Sequence, residues 1–223
     1  MGQMIKLTAE DGFELGAYRA DPEGRPRGGL VVVQEIFGVN THIRAVCDRY
    51  AALGYAAVAP ALFDRQQPGF ESGYTPEEVE AARKFLADID VNAMLRDTKA
   101  AIAALSGTGK AGVVGYCLGG SIAFLAATRL NGIAAAVGYY GGRITAHADE
   151  TPKVPTQLHY GETDQSIPMR DVETVIAKRP DCDIHVYPAG HGFSCDERAS
   201  FDPGSTVIAW GRTLRWFDEH LAR

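Results

Sequence analysis

The chain is predicted to be an α/β protein, a three-layer sandwich with a mostly parallel central sheet and helices on both faces. Three observations predict it. From residue 28 onward, β-rich runs alternate with segments of helical spacing. The runs GLVVVQEIF, YAAVAP and KAGVVGY are apolar on both faces, as buried parallel strands are. Finally, 223 residues with 46% hydrophobic content are enough for one core. No repeat, low-complexity tract or linker divides the sequence, so residues 1–223 are expected to form a single domain.

The elements follow in order. MIKLTA and FELGAYRA flank Glu10-Asp11-Gly12 and predict a β-hairpin with a glycine-containing turn. After the polar DPEGRPRG comes the first buried strand, GLVVVQEIF, which ends at the loop FGVNT. Residues 41–53 have helical spacing that stops at Gly54, and YAAVAP is the next buried strand. LFDRQQPGFESGY carries turn residues without periodicity, which predicts a loop across the carboxyl ends of the strands. Thr75-Pro76-Glu77-Glu78 opens a helix with a capping Thr, Pro at the first helical position and Glu at the third. Another helix is expected from Val91 to Leu105. KAGVVGY, IAAAVGYYG, TQLHYG and DIHVYP read as four further strands, with helices over 118–129, 168–178 and 205–221. Ligands of such sheets bind outside the carboxyl ends of the strands. Cys117, Glu35, Tyr139, Asp164 and His191 all fall just after predicted strands, so they can meet on one rim.

Charge and composition exclude several function classes. The net charge is −6 and the 22 Lys and Arg are scattered, so nucleic acid is not an expected partner. There is no apolar run of about 18 residues, and MGQMIKLTAEDG lacks the profile of a signal peptide. Lys6 stands where a myristoylation signal needs Ser or Thr. The expectation is a cytoplasmic protein with no membrane partner. The four cysteines then read as reduced thiols. Cys47, within a helical pattern, and Cys182, at the opening of a strand, look ordinary. Only Cys117 has a local sequence that argues for chemistry.

Gly115-Tyr116-Cys117-Leu118-Gly119 is a G-x-C-x-G between a β-run and an apolar helix. That is the context of a nucleophile elbow, with cysteine where the α/β-hydrolase fold usually carries serine. Flanking glycines let neighbouring backbone approach a strained turn. A helix amino terminus favours the anion of a thiol that, free in water, is only a few per cent ionised. The Leu118 backbone N–H is an expected oxyanion-hole donor, with a second from Ile36 in the loop after GLVVVQE. The plainer alternative is a glycine-rich helix start carrying a buried cysteine. Partners argue against it, because this fold orders them nucleophile, acid, base along the chain. His191, in AGHGFSC after DIHVYP, is the best base. His42, His147 and His220 lie in helical or polar surroundings, and His159 and His185 are internal to strands. Asp164 in GETD is the expected acid, with Glu162 a weaker alternative and Asp171 inside the next helix. Cys117 would then attack an acyl carbon, His191 would move protons, and Asp164 would fix the imidazole tautomer.

Over almost its whole length the sequence resembles the dienelactone hydrolase family, the carboxymethylenebutenolidases. The resemblance is carried by QEIFGVN, YAAVAPALFDRQQPG, GYCLGG, GYYGG and an acid loop followed by AGHGF, in that order. It implies an α/β-hydrolase fold and a cofactor-free cysteine hydrolase of small lactones or esters, working through an acyl-thioester. It also implies a role for Glu35: the matching carboxylate of the family interacts with the thiol and helps it lose its proton when substrate arrives. Family members acting on dienelactone hold the substrate carboxylate with two arginines. Arg65 matches the first, in the R-Q-x-P-G loop; the second position, four residues after His191, is Cys195. Arg198, three residues further on, is the expected replacement if it bends back, and Tyr139 is an expected pocket residue beside Tyr140. Alternatives are a general carboxylesterase without dienelactone preference, a redox-responsive thiol protein in which Cys195 resolves an oxidised Cys117, and a zinc site on His191 and Cys195. A monomer or small homo-oligomer is expected.

Overall fold

A computed structural model describes residues 2–222 of the chain. Eight strands, β1 (Gln3–Thr8), β2 (Glu14–Ala20), β3 (Gly28–Val33), β4 (Tyr55–Pro60), β5 (Ala111–Tyr116), β6 (Ala135–Tyr139), β7 (Thr156–Gly161) and β8 (Asp183–Tyr187), form one sheet in the order β1-β2-β4-β3-β5-β6-β7-β8. β1 pairs antiparallel with β2, and β2 antiparallel with β4; β3 to β8 run parallel. The predicted hairpin therefore forms, and it extends one edge of the sheet.

The helices are α1 (Thr41–Ala52), α2 (Pro76–Arg83), α3 (Val91–Ala104), α4 (Leu118–Arg129), α5 (Met169–Lys178) and α6 (Pro203–Leu221). Their caps follow from the sequence. Thr75 Oγ1 accepts from the Glu78 N–H while Glu78 Oε2 accepts from the Thr75 N–H, the reciprocal box read from TPEE. α6 starts at Pro203, two residues before the expected 205, because Asp202 caps it through the Ser205 N–H at 2.7 Å and proline suits the first turn. A 3-10 turn, Lys84–Leu86, which the sequence did not signal, follows α2 directly.

Two glycines of β5 show the layering. A Cβ on Gly112 would meet the Phe217 ring of α6, and one on Gly115 would meet the backbone of Gly119 at the start of α4. Residues three apart on a strand face opposite ways, so α6 and α4 cover opposite faces. α1 joins α6, with the Tyr50 and Trp210 rings 4.7 Å apart, and α3 packs beside α4. The residues of β3 and β4 are buried throughout, which explains their lack of polar alternation. Among the described residues no helix is long and apolar enough to cross a membrane.

Candidate active site

The turn from β5 into α4 brings Cys117 to the carboxyl rim of the sheet in a conformation that side chains avoid, φ 55° and ψ −113°. Such backbone costs on the order of 1–3 kcal/mol and persists only where its surroundings over-determine it. Here the Cys117 N–H donates to the Tyr139 carbonyl at 3.0 Å and the Gly119 N–H donates to the Gln34 carbonyl at 3.0 Å. A Cβ on Gly119 would overlap the Val33 and Gln34 carbonyls, so α4 begins in backbone contact with the end of β3. The two glycines of G-x-C-x-G are thus required by contact distance.

His191 Nε2 lies 3.2 Å from Cys117 Sγ, and His191 Nδ1 lies 2.7 Å from Asp164 Oδ2. Asp164 is buried, and its other oxygen accepts the Ser166 and Ile167 N–H groups at 2.7 and 3.1 Å, which fixes the plane of the carboxylate. The acid and base loops are tied together by the Thr163 N–H on the Ala189 carbonyl at 3.1 Å. Ser200 Oγ donates to the His191 carbonyl at 2.7 Å. Burial works to lower the His191 pKa, but the sulfur of Cys117 and the carboxylate of Asp164 outweigh it and carry the imidazole up to about 10. The pair is therefore built to hold an imidazolium against the sulfur.

Glu35, just after β3, is buried at 1% exposure, yet it makes no hydrogen bond to Cys117 among the described residues. Its Oε1 accepts from Arg198 Nη1 at 2.9 Å and its Oε2 from the Tyr74 hydroxyl at 3.3 Å, which in turn accepts from Asn40 Nδ2 at 3.1 Å. A guanidinium is a good partner for a buried carboxylate, and it holds Glu35 here. Arg198 does bend back to the site, lying over the Phe37 and Tyr74 rings at 5.6 and 5.9 Å. Cys195 is fully buried; burial first, then Glu35, pushes its thiol up to about 12. It is a neutral packing residue, poorly suited to resolving an oxidised Cys117. Its ligand-forming neighbours are Glu35 and His42 rather than His191, with the three donor atoms within 4.8 Å of one another. Arg198 already supplies a cation to that carboxylate.

Two residues expected to bind substrate, Arg65 and Tyr139, do not line the cavity beside Cys117. Arg65 Nε and Nη2 donate to Asp97 at 2.9 and 2.7 Å, and Nη1 and Nη2 donate to Asp11 at 2.9 and 3.0 Å. The side chain of Asp97 is wholly buried and needs a cation, so Arg65 faces it and not the cavity. Arg65→Ala is accordingly expected to destabilise the protein by about 3 kcal/mol, by leaving Asp97 buried and unpaired. Urea unfolding checks this; unaltered stability with a changed preference for anionic esters would return Arg65 to the site. Tyr139 is the second case. Its ring stacks on Tyr116 at 4.9 Å and its hydroxyl shares a 2.7 Å hydrogen bond with Thr213, inside the core under α6. The next residue, Tyr140, turns the other way at φ 39° and lays its ring 5.2 Å from His191.

Cys117 and His191 open onto a cavity of about 230 Å³. Phe37, Val79, Leu86 and Ile167 form apolar walls, and Arg83, Arg143 and Arg198 supply charge. Ile36 and Leu118 also line it, and neither backbone N–H has a hydrogen-bond partner among the described residues.

Comparison with known proteins adds the family. The profile of the dienelactone hydrolase family matches residues 15–221. The chain belongs to the dienelactone hydrolase family. It is similar to carboxymethylenebutenolidase 1 of Cupriavidus pinatubonensis, with 31% identity covering 94% of both chains. It is also similar to the carboxymethylenebutenolidase of Pseudomonas putida, with 33% identity covering 94% of this chain and 93% of the relative. A crystal structure from Klebsiella pneumoniae superposes with a TM-score of 0.84 at 30% identity, covering 97% of this chain and 98% of that one. Membership makes the chain a hydrolase of ester or lactone bonds on an α/β-hydrolase fold. The sequence did not reveal that Arg83 and Arg143 line this cavity. The one available signal was the spacing of Val79 and Arg83, four apart on one face of α2.

Proposed function

We propose that this member of the dienelactone hydrolase family cleaves small lactones or esters with Cys117 as nucleophile, through an acyl-thioester. The observation that carries the proposal is the in-line chain Asp164, His191, Cys117, with spacings of 2.7 and 3.2 Å opening onto the cavity. The sulfur attacks the carbonyl carbon and forms a C–S bond. The oxyanion that develops is met by the Leu118 and Ile36 N–H groups, each worth about 3 kcal/mol in such sites. The C–O bond then breaks, and the His191 imidazolium gives its proton to the departing oxygen, which stays tethered to the acyl group when the substrate is a lactone. His191, now neutral, takes a proton from water; the hydroxide attacks the thioester, the C–S bond breaks, and Cys117 returns as thiolate beside the imidazolium. The cavity is smaller than the ~300–1,000 Å³ of sites for drug-sized ligands, which favours a compact acyl group.

A dienelactone-like substrate, bearing a carboxylate, is supported by Arg198 at the cavity wall. A general carboxylesterase is the second reading, favoured by Arg65 being held by Asp97 and Asp11 and by a neutral thiol at position 195. For either substrate the experiment is pre-steady-state release of para-nitrophenol from para-nitrophenyl acetate. A burst stoichiometric with enzyme is expected, and it should vanish in Cys117→Ala. A full burst in that variant sinks the proposal.

A further inference from the structure

The cavity is electropositive although the chain carries a net charge of −6: its charged lining is Arg83, Arg143 and Arg198, with no carboxylate among the lining residues described. The three cations are not equivalent. Arg198 is committed to Glu35 at 2.9 Å. Arg83 and Arg143 are exposed, and neither side chain forms an ion pair or hydrogen bond among the described residues. Exposed arginines without a partner among the described residues also occur at Arg25 and Arg215, so it is the shared cavity, and not the lack of a partner, that sets Arg83 and Arg143 apart.

Their placement gives these two a direction. Arg83 ends α2 four residues after Val79, which lines the same cavity, so that helix face is turned toward the nucleophile. Arg143 follows β6, and its backbone N–H donates to Ser121 Oγ at 3.1 Å, which ties it one helical turn beyond Cys117 on α4. Two separate walls thus each present a guanidinium to a cavity too small for a macromolecule. Solvation accounts for either arginine alone; the convergence of both on one opening is what points to an anion.

We propose that Arg83 and Arg143 form a second anion-binding subsite at the mouth of the cavity. The preferred ester or lactone then carries a further negative group, carboxylate or phosphoryl, remote from the scissile carbonyl and additional to any group held by Arg198. Planar guanidinium forks match either group. The inference rests on the cavity being the ester-hydrolase site proposed above, and it names the substrate class of that site.

The test is a matched series of para-nitrophenyl esters: butyrate, the glutarate monoester, the tricarballylate monoester and phosphonobutyrate. These carry none, one, two carboxylates, and one phosphonate dianion. Wild type is expected to favour at least one dianion over the monoanion by about tenfold in kcat/KM, the scale of one charge-assisted contact. The Arg83→Gln/Arg143→Gln double variant should lose that step through KM, and high salt should erode it in wild type. Which dianion leads identifies the group as carboxylate or phosphoryl. A wild type indifferent to the second charge, or a double variant that keeps the preference, overturns the subsite. The Cys117-dependent burst, measured on the same preparations, separates the two proposals. A normal burst without dianion preference removes the subsite alone, whereas loss of Cys117 dependence removes the reading beneath it.

Discussion

Asp164→Asn is expected to lower kcat by about 10³–10⁴, the scale found when the carboxylate of such a triad is replaced by its amide. The reason lies in which oxygen does what. Asp164 Oδ1 is held by the Ser166 and Ile167 N–H groups, so an asparagine keeps its carbonyl there and turns its amide N–H toward His191. His191 Nδ1 must then accept, its proton moves to Nε2, and the neutral ring can no longer take a proton at Nε2. A pH effect accompanies the rate effect. The folded pKa of His191 stands above the ordinary 6.5, raised by Cys117 and then Asp164 against burial. Stabilisation of the imidazolium is therefore fully present below pH 6.5 and is lost as pH rises through about 10. Without the Asp164 carboxylate the loss sets in at lower pH, so the alkaline limb of kcat/KM shifts downward. A pH–rate profile checks both effects, and an unchanged limb with near-normal kcat would remove Asp164 from the mechanism.

Gly119→Ala carries the second large effect. Its Cβ would fall 2.6 Å from the Gln34 carbonyl oxygen and closer still to that of Val33, and both contacts are backbone that a rotamer change cannot relieve. Either α4 moves away from β3, which disperses Cys117, Leu118 and Ile36, or the chain is destabilised by about 3 kcal/mol or more. Gly204→Ala is the internal comparison. In the first turn of α6 its nearest neighbour would be Asp202 Oδ1 at 3.5 Å, so alanine should be neutral or stabilising by up to about 1 kcal/mol. Urea unfolding of the two variants should separate them clearly; equal stability and activity would mean that the elbow tolerates more space than its contacts allow.

The parts of this molecule that were legible in its sequence are those whose cause is local. β3, β4 and β5 are apolar on both faces because they are buried on both faces, and TPEE states its own cap. Cys117 was readable because an elbow needs small residues at fixed spacing, and Asp164 and His191 because they follow strands that a parallel sheet brings side by side. What escaped was pairing at a distance. Nothing near Arg65 in the chain announces that Asp97, 32 residues on, is buried and in need of a cation. Nor does a pair of adjacent tyrosines state where the strand stops; the positive φ of Tyr140 decides which ring reaches His191. Arg198 was anticipated only as a possibility, because its reach depends on how the AGHGFSCDER loop folds over Phe37. Arg83 and Arg143 depend on the docking of α2 and of the turn after β6, which no short pattern encodes.

The central claim is a covalent bond between the acyl group of the substrate and Cys117, and intact-mass analysis of acid-quenched enzyme tests it most directly. With an activated ester in excess, the account predicts one acyl increment per chain, mapping by peptide digestion to GVVGYCLGG, labile to hydroxylamine and absent from Cys117→Ala. Steady turnover with no increment on that peptide, or an increment that survives in Cys117→Ala, would contradict it.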